Sequence, residues 1–446
     1  MTHVDHDESA AVPLLGYISF EAPSDVISLY SGPMRLPTSD GSTPERPGTI
    51  TLGFRSGSHL DWTVDLSETS PEDRRPWRHR VGSQTVELGI DFNGVPMTLE
   101  TYSGGDGRGF FGHRTVSADN DVLLSSVTAH WVNLPQLGAE TLLCQEDDDG
   151  NWREWHGRST MTFAGWEVTF DERADLFETL AAARRDRLFA VTHVMRIQRD
   201  DGELFAAEEG EQIVAGLQLG LSFALGRWAA PILPVGVDDT GAIAWSEWAA
   251  MRVDSLVKAH GQWWDRHRPQ DLRHFLEQFV SQCLDPDERR SLGFVTTSAI
   301  IAGESGFVEQ RLITALAALE HLHWRANEVD DGDPPKRLRR LLTAASINIY
   351  VESTNQPALA LYANGQDGPK VLYRVRNALM HPKRLDGLYA HEGLIWQASL
   401  LASRYLDLVI LYRLGYHGYV TDRTRTTGWE TGGAPVPWAE ADTEAG

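Results

Sequence analysis

The chain has 446 residues, a formal net charge of -23, a hydrophobic fraction of 41% and two cysteines. That length exceeds one ordinary core, so two or three domains are expected, and the apolar fraction stands clear of the disordered class. The acidic balance excludes a protein that coats nucleic acid non-specifically. The distant pair Cys144 and Cys283 makes no disulfide framework and fits a reducing compartment.

The N-terminus, MTHVDHDESAAVPLLGYISF, lacks the basic start and long apolar run of a signal peptide. The two most apolar stretches are Val214–Val237 and Leu394–Leu414. The first is interrupted by Gly216, Gln218, Gly220, Arg227 and Pro231, and the second carries Arg404 and Asp407. Neither reads as a membrane span, so the expected location is the cytoplasm with no membrane partner. Lysine occurs only at Lys258, Lys336, Lys370 and Lys383; arginine carries almost all the positive charge.

From Leu14 to about Trp166 the chain reads as short strands between turns. GTITLGFRSG, QTVELGIDFNGVPMTLETYSG, NDVLLSSVTAHWVNL and GWEVTFD alternate apolar with polar residues, or run apolar between Gly, Asn and Asp. Asn93-Gly94 between two such runs predicts a tight hairpin. Arg187–Ile197 reads as a strand, Glu208–Leu225 as a helix with Ile213, Leu217, Leu221 and Leu225 on one face, and Ala242–Val253 as strand-like. After about Asp254 the period turns helical over Asp271–Leu284, Ser305–Ala326, Pro335–Ala345, Gly368–Met380 and Tyr389–Leu414. Asp271 and Ser305 are candidate N-caps, and Asp333-Pro334-Pro335 suits a helix start. The expected class is α+β: a β-rich N-terminal domain over 1–253, an α-helical bundle over 254–420 and a flexible tail over 421–446.

Several motifs reduce to plain structure. Gly107-Arg108-Gly109-Phe110-Phe111-Gly112 matches the dinucleotide fingerprint, but no helix follows it, so it reads as a glycine-rich hairpin loop. Glu146-Asp147-Asp148-Asp149-Gly150 lacks the alternating ligands of a calcium loop and reads as an acidic turn. His321 and His323 are two apart on a helix and point to different sides, one packed and one solvated, which makes a poor metal site. Trp131, Trp152, Trp155 and Trp166 read as core rather than binding surface. Zinc-ligand pairs, a Walker loop and a nucleophile elbow are all missing from the sequence, so no metal or cofactor is expected.

What remains is Tyr373-Arg374-Val375-Arg376-Asn377-Ala378-Leu379-Met380-His381-Pro382. Arg and His with four to six residues between them also occur at Arg108/His113, Arg187/His193, Arg268/His274 and Arg384/His391, so spacing alone carries little. Three features set the 376–381 pair apart. Asn377 follows the Arg; Pro382 should end the helix at His381; and Lys370, Arg374, Arg376, Lys383 and Arg384 stand in a stretch without a carboxylate from Asp367 to Asp386. In RNA the 2′-OH is a built-in nucleophile. Its attack on the neighbouring phosphate needs an imidazole-type acid or base and a fixed cation on the phosphorane oxygens. The plain alternative has Arg376 capping carbonyls and His381 packed at a helix end.

With Arg376, Asn377 and His381 at a late helix end and a long amphipathic helix after them, the chain resembles the HEPN superfamily over about Asp271–Leu414. The whole layout, a β-rich region followed by such a domain, resembles the ApeA-type anti-phage abortive-infection proteins. The resemblance implies a metal-independent endoribonuclease leaving a 2′,3′-cyclic phosphate, with RNA (tRNA among the candidates) as substrate. It also implies a homodimer through the helical domain, and a trigger of unknown nature sensed by the N-terminal domain. Glu320 would neutralise or hold Arg376, or else is a helix-surface acid; Lys336, Arg337, Arg339 and Arg340 would extend the RNA track, or else form a solvated face. A non-catalytic dimerisation or binding module with a ligand-sensing N-terminal domain is the other reading.

Overall fold

The computed structural model describes residues 10–37, 42–55, 57–67, 85–146, 150–258, 262–304, 306–326, 332–381, 387–424 and 433–439. The chain divides into two units, one of Met1–Val214 with Ala229–Val257, the other of Ala215–Trp228 with Lys258–Gly446. The class is α+β, strands gathering in the first unit and helices in the second. The division by contact therefore falls four residues past the expected end of the β-rich part at 253, and it moves Ala215–Trp228 out of that part.

In the first unit β1 (Val26–Arg35), β2 (Glu45–Gly53), β3 (His59–Val64), β4 (Thr85–Phe92), β5 (Val95–Gly105) and β6 (Arg108–Phe110) close into an antiparallel barrel, ordered β1-β2-β3-β6-β5-β4. Alternation builds it: Val86, Leu88, Ile90 and Phe92 of β4 are buried while Thr85, Glu87 and Asp91 face out. Asn93 and Gly94 join β4 to β5 with φ of 50° and 81°, the left-handed pair a two-residue hairpin requires. The fingerprint-like glycines have packing roles. Gly107 (φ 69°) turns β5 into β6, and a Cβ on Gly109 would fall 2.1 Å from the Tyr102 carbonyl oxygen and 2.2 Å from the Trp62 ring.

The strands that follow are β7 (Thr115–Val116), β8 (Leu123–Leu124), β9 (Ser126–Val132), β10 (Thr141–Glu146), β11 (Trp152–Phe163), β12 (Trp166–Glu172), β13 (Val191–Arg199), β14 (Phe205–Ala206), β15 (Pro231–Val237) and β16 (Ile243–Trp248). Eight of them form one sheet, ordered β10-β11-β12-β13-β9-β15-β16-β7. Trp248 carries the barrel core into this sheet, edge-on to Phe92 at 5.4 Å and stacked on Phe111 at 6.4 Å. An N-terminal segment is tied across the sheet by its backbone: Leu14 N–H donates to Asp171, and Tyr17 N–H donates to Nε2 of the fully buried His130. Trp131 and Trp166 are core as expected, whereas Trp152 is exposed and Trp155 only half-buried. Asp147, Asp148 and Asp149 of the acidic turn lie outside the described residues.

Helix α1 (Leu176–Asp186) belongs to the first unit, and α2 (Ala207–Leu225) crosses the division. The second unit contains α3 (Pro269–Cys283), α4 (Pro286–Gly303), α5 (Val308–Ala326), α6 (Pro334–Ala344), α7 (Pro357–Ala363), α8 (Gly368–Met380) and α9 (Leu394–Arg413). Gly216 and Gly220 are where the end of α2 lies against α3: Cβ atoms there would meet Val280 at 3.2 Å and Leu276 at 2.9 Å. Alone among the described helices, α9 is long and apolar enough to cross a membrane, with a mean hydropathy of 1.4, but 78% of that stretch is buried in the fold. It is the core helix of the bundle, with Ala398, Ala402, Leu406 and Val409 fully buried against neighbours that include α5 and α4.

The expected flexible tail is corrected for its described residues. Strand β17 (Tyr419–Val420) pairs with β18 (Ala434–Pro435), Val436 is fully buried, and the indole of Trp438 donates to the Tyr416 carbonyl at 2.7 Å. Asp271 is not an N-cap. Arg268 holds that position with Pro269 in the first turn, and the Asp271 carboxylate accepts from Tyr419 N–H instead. Ser305 lies outside the described residues.

Candidate functional site

Helix α8 begins at Asp367, whose carboxylate accepts from Lys370 N–H at 2.9 Å. It ends at His381, which is extended (φ -120°, ψ 97°), as a residue before proline should be, and whose N–H returns to the Asn377 carbonyl at 3.1 Å. Val371, Leu372, Val375 and Ala378 face the core. Arg376 is half-buried, while Asn377 and His381 are exposed, and Arg376 Nη1 donates to Asn377 Oδ1 at 3.2 Å. Among the described residues no hydrogen bond reaches the His381 ring, so Arg376 and Asn377 are joined and His381 stands one turn further on.

Beneath this end lies a partner that periodicity did not reveal. Tyr373 is 3% exposed and donates its hydroxyl to Glu320 Oε1 at 2.8 Å. Burial, and then the Glu320 carboxylate, raise the phenol well above its ordinary value, while the nearby Arg337 and Arg376 guanidiniums oppose that rise. Glu320, Tyr373, Arg337 and Arg376 thus form one electrostatic group. Glu320 makes its hydrogen bond to Tyr373, and no ion pair joins it to Arg376 among the described residues. The weak sequence signal for Tyr373 was its place one turn ahead of Asn377, on the α5 side of α8.

The wider basic set is only partly available to a ligand. Arg339 is paired with Asp367 at 2.7 Å. Arg374 lies over the Tyr362 ring at 3.7 Å and donates to the Tyr362 carbonyl and to Gln366. Arg337 stacks over Trp324 at 5.1 Å and donates to the Gly332 carbonyl. Lys336, Arg340 and Lys370 are exposed. Lys383 and Arg384 lie outside the described residues. The expected track is therefore interrupted, with Arg339 and Arg374 engaged inside the fold. Among the described residues no His, Cys, Asp or Glu cluster could hold a metal. His323 is buried, and His321 is held by Ser291 Oγ at 2.9 Å rather than left to solvent.

Residues 119–259 match the model of the YopA central domain, and residues 295–433 match the model of the YopA C-terminal domain. In both segments the chain is similar to YopA. Among curated proteins it is 25% identical over 312 residues to the SPbeta prophage-derived uncharacterized protein YopA of Bacillus subtilis (strain 168), a match covering 65% of this chain and 68% of that protein. No solved structure matches the chain. The second model spans Glu320, Tyr373, Arg376, Asn377 and His381, so the candidate site lies wholly inside a YopA-like segment.

Proposed function

We propose that the helical unit is a metal-independent endoribonuclease acting through Arg376 and His381, in a cytoplasmic protein whose β-rich unit senses the trigger. The observation that carries this reading is the half-exposed Arg376, bonded to Asn377, at a helix end that closes on an exposed His381. In the step proposed, the RNA 2′-oxygen bonds to phosphorus and the bond from phosphorus to the 5′-oxygen breaks, leaving a 2′,3′-cyclic phosphate and a 5′-hydroxyl. Arg376 holds the phosphorane oxygens, and His381 protonates the departing 5′-oxygen. In a homodimer a second copy brings another imidazole to take the 2′-hydroxyl proton. Asn377 orients Arg376, and the Glu320–Tyr373 pair supports it from below. Similarity to a protein named as prophage-derived supports a phage-related setting.

A second reading is favoured by the engagement of Arg339 and Arg374 inside the fold: a non-catalytic module that uses the exposed helix end to bind a partner or a second copy. Cleavage of RNA by the purified chain with a chelator present, compared with Arg376→Ala and His381→Ala, separates the two.

A further inference from the structure

Two charges, Arg404 and Asp407, interrupt the apolar run of α9. Arg404 of α9 pairs with Asp422 at 2.6 Å near the surface. Asp407, 4% exposed, pairs with Arg423, whose Nε lies 2.8 Å from Asp407 Oδ2 without the alignment of a good hydrogen bond. Burial pushes the Asp407 carboxyl up to about 7 against the pull of Arg423. A core ion pair of this kind adds little stability, because desolvating both charges offsets their attraction. Stability alone therefore gives no reason for the pair.

The same residues line a cavity of about 70 Å³, walled by Trp263, Leu408, Pro435 and Pro437 together with Asp407 and Arg423. Its frame is well fixed. Thr421 N–H donates to the Trp263 carbonyl at 2.8 Å, β17 pairs with β18, and Trp438 anchors the end of the hairpin. Arg423 Nε and Asp422 Oδ2 sit in the two ion pairs, and three further buried polar atoms of lining residues have no hydrogen-bond partner among the described residues: Asp407 Oδ1, Arg423 Nη2 and Trp263 Nε1. A buried polar atom without a partner is costly, so three around one cavity call for an occupant. The volume suits about five waters, or a ligand portion of about that many heavy atoms.

The charges restrict what that occupant is. Arg404 and Arg423 balance Asp407 and Asp422, so neither a lone cation nor a lone anion finds a net opposite field. The free atoms ask for a donor toward Asp407 beside an acceptor toward Arg423 and Trp263. We propose that this cavity is a binding site for a small ligand, neutral overall, that presents an amide-type edge, with N–H next to C=O as in a carboxamide or the lactam edge of a base. The site is separate from Arg376 and His381 and does not rest on the ribonuclease reading.

The test is isothermal titration of the full chain with nicotinamide and guanosine as probes, and with acetate and methylammonium as charged controls. Saturable binding of either amide probe and not of the controls is expected. It should weaken by about tenfold or more in Asp407→Asn, because a partner of the ligand inside a desolvated site is changed. Ala434→Trp, at an exposed position on the cavity rim, should block it while leaving the fold intact. This second variant keeps the test decisive if Asp407→Asn fails to fold. Absence of binding by both probes, equal binding of the charged controls, or binding unchanged by Ala434→Trp overturns the proposal.

Discussion

Replacing Gly109 by alanine should break the closure of the barrel. Gly109 sits in β6 between Trp62 of β3 and Ser103 of β5, and these pairings join the two halves of the closed sheet. An added Cβ would fall 2.1 Å from the Tyr102 carbonyl oxygen and 2.2 Å from Trp62 Cζ2. Neither neighbour can yield cheaply, because one is backbone in a ladder and the other is an indole 1% exposed in the barrel interior. Overpacking of a tight core costs about 1–3 kcal/mol, and two unyielding contacts argue for the upper end, about 3 kcal/mol. For a domain of this size that lowers the melting temperature by roughly 6–12 °C. Scanning calorimetry gives the shift, and hydrogen exchange should place the loss in His59–Val64 and Arg108–Phe110. Gly104→Ala is the control, since its Cβ would meet nothing closer than 3.5 Å, and it should move stability by about 0.5 kcal/mol at most. If Gly109→Ala melts with the parent chain, the packing account of the glycine-rich loop is wrong.

Two further outcomes follow from buried polar groups. His130 accepts backbone N–H groups from Tyr17 and Ile18, and burial holds its pKa down to about 4 against an unfolded value of 6.5. Because the unfolded chain binds the proton first, this contribution is present above pH 6.5 and is lost as pH falls from 6.5 to 4, by about 3 kcal/mol in all. Denaturation midpoints should show that slope in the parent and a flatter one in His130→Gln; identical slopes would refute a neutral, strap-holding imidazole. Tyr373→Phe removes the donor to Glu320 and should cost about 1.5 kcal/mol in the helical unit, read by thermal unfolding. An unchanged melting temperature would mean that the bond contributes nothing.

Local signals were legible where chemistry is local. Asn93-Gly94 gave its hairpin because few other residue pairs adopt two successive positive φ angles. Helix α8 was read to its last residue, because Asp367 caps one end and Pro382 forbids helix at the other. Helix α4 was missed: Ser291, Thr296 and Ser298 are buried in it, so polar letters occupy core positions and blur the period. Helix α1 buries only Leu176, Thr179 and Ala183 along one edge, too thin a stripe to stand out. The tail misled through its composition, since Gly and Pro surround the two residues that anchor it, Val436 and Trp438. Long-range pairing was the harder limit. Nothing near Arg339 announces Asp367, nothing near Arg374 announces Tyr362, and the glycines that bring Ala215–Leu225 against α3 looked only like breaks in an apolar run. Arg404 and Asp407 were visible as odd charges in the apolar stretch of α9; the cavity they line needed the hairpin of β17 and β18 to be seen.

Purified chain is incubated with tRNA, ribosomal RNA and messenger RNA in the presence of EDTA, and the product ends are identified. Fragments with 2′,3′-cyclic phosphate and 5′-hydroxyl ends are expected, lost in both Arg376→Ala and His381→Ala while the variants keep the parent melting temperature. Cleavage that persists in both variants or that requires a divalent cation would contradict the proposed mechanism; silence of the parent on all three RNAs together with no toxicity on overexpression would leave the helical unit as a binding module.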